Sequence, residues 1–452
     1  MEVGLVNQMP EVLRNLLVNL ADRAEIERYL QRFTSIDPVK FAVVKVGGGV
    51  LRDDLDEVAS ALAFLHRVGL YPVVVHGAGP QLDSAIEEAS LETERIDGMR
   101  VTSPEILKIM RRVIHAENLR LVDALAERDA PARPITGGVF EASWLDSERL
   151  GMVGEVDRVH LEPLTAAIRA RQIPVVACVG ETSSGQILNL NADVAARSLA
   201  LAIEPHKLVF LTPTGGLLDE TGTTIPAINL VEDYDRLIRE HWVTGGMALK
   251  LREIKQVLDV LPRTSSVSIT SPEHLAGELF TDRGSGTLIR QGETVETHPD
   301  LSGLDRQAIH ALLEKAFGRT VSSDYLENLD PLRIYLASDY SAVAILTEEQ
   351  GMAYLDKFAV TAESQGAGLG ASLWNRIKED TPRLFWRSRA GNPFNAWYFK
   401  KAEGSWRHGE WVVFWYGIDS ADEVAACRDL ALRLPVTVDA GDLHRPSAAG
   451  GS

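Results

Sequence analysis

The stretch "FAVVKVGGGV", residues 41–50, decides how the first half of the chain is read. An apolar run of strand length takes in a lysine, Lys45, and then runs into three glycines, Gly47, Gly48 and Gly49. The order is the reverse of the familiar phosphate loop, in which glycines come first and a lysine opens the helix. Backbone N–H groups at a glycine turn after a strand still approach a phosphate closely and offer it several donors at once. A second turn of this kind, "HGAGP" at 76–80, closes the next strand-like run, "YPVVVHG". Between the two turns, the residues from about Leu55 to Val68 carry the apolar spacing of a helix. Further apolar runs follow in "PVVACVG" (174–180) and "KLVFLT" (207–212). Apolar strands alternating with amphipathic helices predict an α/β fold, a mainly parallel sheet sandwiched by helices. Both glycine turns then lie at the carboxyl ends of strands, where such sheets bind ligands. The stretch "LLDETGTTIPAINL" (217–230) predicts a hairpin about a Thr-Gly turn, inserted late in the sheet.

The whole chain of 452 residues is long enough for two or three domains. Its net charge of -18 weighs against nucleic acid and against an anionic membrane surface as partners, while leaving small anions open. The two cysteines, Cys178 and Cys427, supply neither a disulfide framework nor a zinc ligand set. That usage predicts a reducing compartment. With no bilayer-length apolar stretch and no signal-like start, a cytoplasmic location is expected. The strand–helix alternation ends near "GSGTLIR" (284–290), and the polar "QGETVETHPDLSGL" after it reads as a linker. The predicted organisation is an N-terminal helical segment (1–34), an α/β domain (35–290), a linker (291–303), a second domain (304–440) and a disordered tail (441–452). Strand-like runs dominate the second domain: "RIYLAS", "SAVAIL", "AYLDKFAV", "RLFWRS" and "EWVVFWYG", broken by a helix from about Gly370. Trp374, Trp386, Trp397, Trp406, Trp411 and Trp415 all fall there, and most are expected to build core.

Five separated motifs, "KVGGG", "HGAGP", "GMRVT" (98–102), "NLNAD" (189–193) and "TGGMALK" (244–250), occur in an order and at a spacing that resemble the amino-acid kinase family. Within that family they are similar to N-acetylglutamate kinase, over roughly residues 35–290. The resemblance implies ATP, with Mg2+, as phosphoryl donor to a carboxylate. Bringing two anions together requires positive charge between them, and Lys45 and Lys250 are the candidate clamp. Asp193 is expected between the two ammoniums, holding them in position. By the same resemblance Arg100 grips a substrate carboxylate, and Asn189 hydrogen-bonds the N-acetyl-amino acid, with Gly77 and Ala78 beside it. Gly47, Gly48, Gly49 and Thr212 fall on the nucleotide's side. Two departures stand out. Ala78 replaces a glycine that is common in such kinases, and Pro213-Thr214 in "LTPTGG" replaces an Asp-Val pair. Proline lacks an N–H donor, so altered nucleotide contacts are expected.

In the second domain, "AVTAESQGAGLGASLW" (359–374) contains Gln365, Gly366, Gly368 and Gly370 in the Gln/Arg-x-x-Gly-x-Gly pattern of the GNAT acetyltransferases. There, amide donors at a helix start hold the pyrophosphate of coenzyme A. A dinucleotide-binding reading fails, because its third glycine would fall on Ala371. The segment 304–420 is similar to the acetyltransferase domain of vertebrate-type N-acetylglutamate synthase, so a GNAT α+β domain following the kinase fold is expected. The resemblance implies acetyl-CoA and L-glutamate as substrates. Arg387 and Arg389, two apart on a strand and so on one face, would fork the glutamate carboxylates. Lys357 and Asn392 match further glutamate contacts, and Tyr398 matches the family's acid. A phenol of pKa about 10 suits proton delivery to a departing thiolate. A strand amide near Phe358 or Val360 could hold the oxyanion. No side chain is assigned as the base for the amine, and no residue as a metal ligand.

"GELFTDRGSGTLI" (277–289) resembles the inhibitor segment of arginine-sensitive N-acetylglutamate kinases, which carry an extra N-terminal helix; residues 10–34 have helical spacing. Glu278 would pair with the guanidinium of L-arginine, and carbonyls near Gly284 would accept from it. The full chain is similar to the bifunctional synthase/kinases, which implies feedback by L-arginine and a homo-oligomer, expected as a tetramer. The expectation is that glutamate is acetylated to N-acetyl-L-glutamate, which ATP then phosphorylates. The alternative keeps the synthase alone, with the first domain as an arginine-sensing scaffold. "LTPTGG" favours that alternative; Lys45, Asn189, Asp193 and Lys250 oppose it.

Overall fold

The valine-rich run of the opening stretch becomes β1 (Ala42–Val46), a strand with parallel neighbours on both sides. The computed structural model describes residues 37–96, 98–243, 245–262, 265–280, 286–361, 364 and 368–438. The expected N-terminal helix and tail, and Gly284, Gln365 and Gly366, lie outside the described residues. Contacts divide the chain into two units, Met1–Leu230 with Tyr234–Gln291, and Val231–Asp233 with Gly292–Ser452.

In the first unit β1 is followed by β2 (Val73–His76), β3 (Arg95–Ile96), β4 (Met99–Arg100), β5 (Ala132–Ile135), β6 (Phe140–Trp144) and β7 (Gly154–Val159). Then come β8 (Ile173–Ala177), β9 (Val179–Glu181), β10 (Ile187–Asn189), β11 (Lys207–Leu211), β12 (Ala227–Asn229), β13 (Ser266–Thr270) and β14 (Thr287–Arg290). The large sheet has the order β12-β14-β13-β11-β1-β2-β8-β5, and every neighbouring pair is parallel except β13 and β14. Both faces are covered, so central strands read as continuous apolar runs. Val43 packs into one core layer with Val73, Val75 and Phe210, and Val44 into the other with Val74, Val209 and Leu211. Strand alternation puts Lys45 on the Val43 face, where the helix Ala192–Ile203 also packs through Ala195, Ala196 and Leu199.

Two expectations change here. "PVVACVG" is not one strand: it breaks at Cys178, β8 staying in the large sheet while β9 joins a second sheet, β10-β9-β6-β7. The expected hairpin at 217–230 shrinks to a single antiparallel bridge, Leu218 to Thr224. Its second half leaves as β12, parallel to β14, because buried Ile228 completes the core more effectively than a solvated turn could.

The second unit is a seven-stranded sheet. It contains β15 (Val295–His298), β16 (Pro331–Ala337), β17 (Ala342–Glu349), β18 (Met352–Val360), β19 (Leu384–Arg389), β20 (Gly404–His408) and β21 (Trp411–Tyr416), in the order β15-β16-β17-β18-β19-β21-β20. β15 lies inside the stretch read as linker. Its single buried Val295 among polar neighbours is what an edge strand needs, and polar composition disguised it. β18 and β19 are the parallel pair, and they meet only at Tyr354 and Phe385 before diverging. Trp374 and Trp386, each 1% exposed, meet edge to face at 5.2 Å in the core on one side of the sheet. No helix among the described residues is long and apolar enough to cross a membrane.

Candidate active sites

The first site begins with a helix cap. Asn191 caps the helix Ala192–Ile203, its Oδ1 accepting from the N–H of Asp193 at 2.8 Å and of Val194 at 3.4 Å. With the cap supplied by Asn191, the Asp193 carboxylate is available to Lys45, whose Nζ lies 2.7 Å away. Lys45 is 14% exposed at its side chain and Asp193 45%, so the pair faces an opening on one side. Lys250, on the helix Gly245–Leu258, stands in the field of both. Burial lowers its pKa most, the like charge of Lys45 lowers it further, and Asp193 raises it. Lys45, Asp193 and Lys250, far apart in sequence, thus share one place. Cys178 lies beside the same charges, and burial pushes its thiol up to about 12, which leaves it an unreactive filler.

Next to Asp193 is a cavity of about 200 Å³ lined by Gly77, Ala78, Gly79, Arg100 and Asn189. Arg100 is 7% exposed; Nη2 bonds to Asp83, while buried Nη1 has no partner among the described residues. A buried guanidinium arm of this kind is a donor that a ligand carboxylate would satisfy. Asn189 is oriented by Thr102. Its Nδ2 donates to Thr102 Oγ1 at 3.0 Å, and that hydroxyl donates onward to the Arg100 carbonyl at 2.9 Å. Asn189 Oδ1 is therefore the atom left to accept from a ligand N–H. Thr102, fully buried, was not singled out from sequence although it ends the motif "GMRVT".

The glycines separate into two groups. None of Gly47, Gly48, Gly49 and Gly77 has a positive φ, so backbone conformation does not demand glycine at them. At Gly48 a Cβ would lie 2.7 Å from the Gly79 nitrogen, so packing demands glycine there, while at Gly77 it would lie 3.0 Å from the Ala192 Cβ, a tight contact that the neighbour would have to yield to. At Gly47 and Gly49 a Cβ would meet nothing within 4 Å. Those two leave room for something approaching from outside the chain. Ala78 is accommodated by core contacts with Leu82 and Ile86. Thr212 directly follows β11, whose last residue, Leu211, lies beside the end of β1; its N–H donates to Thr270 and its carbonyl accepts from Gly215, closing a tight turn through Pro213 and Thr214.

Glu278, the residue expected to meet a guanidinium, has partners within the chain. It is 2% exposed, its Oε1 accepts from the Gly286 N–H at 2.6 Å, and the buried Lys207 donates to its carbonyl oxygen. Burial raises its pKa first, against the lowering by Gly286 and Lys207. The carboxylate is already satisfied inside the chain.

In the second unit Gly368 has φ 86° and caps the helix Leu369–Asp380, a conformation that favours glycine. Gly370, in the first turn, leaves ordinary contact distance to Val360 and Phe358. A bulge in β18, where the register with β17 skips Asp356, brings two successive side chains together. Lys357 Nζ then lies 2.9 Å from Asp356 Oδ2, 2.7 Å from Thr437 Oγ1 and 4.3 Å from the Tyr325 ring centroid. Burial lowers the pKa of Lys357, opposed by Asp356. Arg387 and Arg389 do share a face, both against Trp411 at 4.3 and 5.0 Å from its ring centroid. Arg387 donates to the Ala431 and Pro435 carbonyls at 2.6 and 2.7 Å, and Arg389 pairs with Glu410. Asn392 donates to Ser388 Oγ at 2.8 Å and accepts from the Phe394 N–H at 2.9 Å, bracing the turn before the helix Asn395–Lys401. Tyr398, on that helix, is 6% exposed among Phe358, Trp386 and Phe414, and burial alone holds its phenol above the usual range. By alternation Lys357 and Arg387 face away from Phe358 and Trp386, so Tyr398 and the two cations lie on opposite faces of β18 and β19, the strands that diverge. The C-terminal segment around Pro435 and Thr437, which sequence reasoning did not mark, supplies partners to both cations.

Residues 40–260 match the amino acid kinase family, and residues 296–429 match the N-acetyltransferase of N-acetylglutamate synthase. Acetylglutamate kinase of Xanthomonas campestris pv. campestris is 49% identical over 413 residues, which span 90% of this chain and 97% of that protein. The mitochondrial N-acetylglutamate synthase of Homo sapiens is 33% identical over 423 residues, 91% of this chain and 74% of the relative. Among solved structures, N-acetylglutamate synthase from Neisseria gonorrhoeae complexed with coenzyme A and N-acetyl-glutamate aligns over 87% of this chain and 98% of that one. The TM-score is 0.57 at 21% identity, a likeness of fold. With an amino acid kinase fold leading into a GNAT-type domain, and relatives of both kinds spanning nearly its whole length, the chain belongs to the family of acetylglutamate kinases and N-acetylglutamate synthases.

Proposed function

We propose that the chain carries out two steps, acetylating L-glutamate with acetyl-CoA and phosphorylating N-acetyl-L-glutamate with ATP. The observation that carries the kinase reading is the Lys45–Asp193 pair at 2.7 Å, in the company of Lys250 and beside the cavity of Arg100 and Asn189. In the kinase step the side-chain carboxylate of N-acetylglutamate attacks the γ-phosphorus of ATP. The bond to the bridging oxygen breaks, ADP leaves with the electron pair, and an acyl phosphate forms. Lys45 and Lys250 offset the repulsion between the anions, and Asp193 keeps the two ammoniums apart and aimed. Arg100 Nη1 takes a carboxylate of the acceptor, and Asn189 Oδ1 its acetamido N–H. Magnesium would enter with the nucleotide, since it keeps several waters and is usually held through substrate phosphates and few protein ligands.

In the acetyl step the neutral amine of glutamate attacks the thioester carbon and the C–S bond then breaks. Tyr398 gives its proton to the sulfur, and the amine's proton passes to solvent. A thioester lying in the gap where β18 and β19 diverge would meet Tyr398 on one face and the Lys357–Arg387 side on the other. Gly368 and the helix it opens would face the pyrophosphate. Glutamate would take over the donors that Arg387 and Lys357 direct at Pro435 and Thr437. L-Arginine as feedback inhibitor, tetrameric assembly and a cytoplasmic setting complete the reading; the two buried, unpaired cysteines support a reducing compartment.

The test is a pair of assays on the full chain. Lys45→Ala is expected to lower acyl-phosphate formation by about 1,000-fold and to leave acetyl transfer intact. Tyr398→Phe is expected to lower acetyl transfer by about 100-fold and to spare the kinase. Undiminished acyl-phosphate production by Lys45→Ala would refute the clamp. Its complete absence from the wild-type chain would favour the synthase with a scaffold domain.

A further inference from the structure

Beneath the two glycine turns runs a polar relay to which neither reaction assigns a role. Gln81 stands on the helix Gly79–Glu88, whose first residue ends the second turn. Its Nε2 donates to the Gly48 carbonyl at 2.9 Å and to Glu117 Oε2 at 3.0 Å. Both partners are acceptors, so the orientation of the amide is fixed, and its Oε1 is buried without a partner among the described residues. Glu117, 13% exposed at its side chain on the long helix Pro104–Ala126, is itself held by Arg120 at 3.1 Å. Backbone touches backbone at the same place, since Gly48 has no room for a Cβ against Gly79 and Ala78.

We propose that Gln81 is a positioning residue that sets the spacing between the turn facing the nucleotide and the turn facing the acceptor, with Glu117 orienting its amide. The inference rests on the kinase reading. Phosphoryl transfer needs attacking oxygen and phosphorus held about 3–3.5 Å apart before reaction, and an error of about 1 Å costs about 100-fold in rate. One side chain that grips the first turn by a carbonyl and belongs to the helix of the second fixes that separation. The planar trans peptide adds direction. With the Gly48 carbonyl turned toward Gln81, the Gly49 N–H points the opposite way, and a Cβ on Gly49 would meet open space.

The experiment uses the full chain, with acetyl transfer as the internal measure of intact folding. Gln81→Leu is expected to lower kcat for acyl-phosphate formation by about 100-fold while the KM values for ATP and N-acetylglutamate stay near wild type. Glu117→Leu should reproduce that loss, Glu117→Gln should restore most of the rate because its amide oxygen still accepts, and Gln81→Leu with Glu117→Leu should be no worse than Gln81→Leu alone. Gln81→Glu gives a separate readout, since a carboxylate there repels Glu117 and the Gly48 carbonyl until it is protonated. Its kinase activity relative to wild type should rise as pH falls. A wild-type kcat in Gln81→Leu, additive losses in the double variant, or a pH profile unchanged in Gln81→Glu would each overturn the positioning role while leaving the kinase reading standing. A wild-type chain that makes no acyl phosphate would overturn both.

Discussion

Lys45 emerges from a run of buried valines, and the carboxylate 2.7 Å away makes a cation tenable there. The same carboxylate acts on Lys250, which burial and the charge of Lys45 push below its ordinary value and Asp193 pulls back up. If Lys250 must be charged to draw the phosphoryl group, the alkaline limb of the kinase pH profile lies below that of an unperturbed lysine. Asp193→Asn removes the raising influence, so its limb should move to still lower pH, beyond any drop in the maximal rate. A limb that stays in place or moves up would show that Lys250 does not set it. Lys45 and Asp193 were legible because the motifs quoted them together with their order. Thr102 and Gln81 were not, because a hydroxyl or amide whose role is to aim another side chain has no signature of its own spacing.

At the scale of elements, β2 ends in a histidine that no water reaches. His76 is fully buried, Asn118 Nδ2 donates to its Nε2 at 2.9 Å and also to the Val175 carbonyl at 2.9 Å, and burial lowers its pKa to about 4. In the unfolded chain a histidine titrates near 6.5. The folded value is depressed, so the stabilisation is fully present above about pH 6.5 and is lost as pH falls toward 4, by about 3 kcal/mol over the whole window. Thermal unfolding midpoints of His76→Gln should therefore fall less steeply between neutral pH and pH 5 than those of wild type. Parallel curves would disprove the assignment. Elements with strong periodicity, such as the helix Leu55–Arg67 and the central strands, were readable before any coordinates. β15 and the bulge at Asp356 were not, because an edge strand tolerates polar residues and a bulge is a property of pairing between strands.

For the molecule as a whole, the two activities reside in separate compact units of one chain, so variants of either site should divide the functions cleanly. Regulation is the property that would join them. L-Arginine at millimolar concentration is expected to slow acetyl transfer by the full chain, and rates flat across that range would end the proposal of feedback. Glu278 sharpens the test. Its carboxylate is bound to the Gly286 N–H, so an arginine that pairs with it must exchange that bond, and the Gly286 amide should lose protection from hydrogen exchange when arginine is added.

The sequence by itself determined the two-domain plan, the parallel α/β core and the identity of the charged groups, because hydrophobic period and residue order are carried along the chain. Tertiary structure alone decided which donors and acceptors remain available: among the described residues Arg100 keeps an unpaired donor arm, the Glu278 carboxylate already accepts from Gly286, the Arg387 guanidinium already donates to two carbonyls, and Gln81 bridges two turns. Hydrogen-bond satisfaction is settled between residues distant in sequence, and composition and spacing do not encode it.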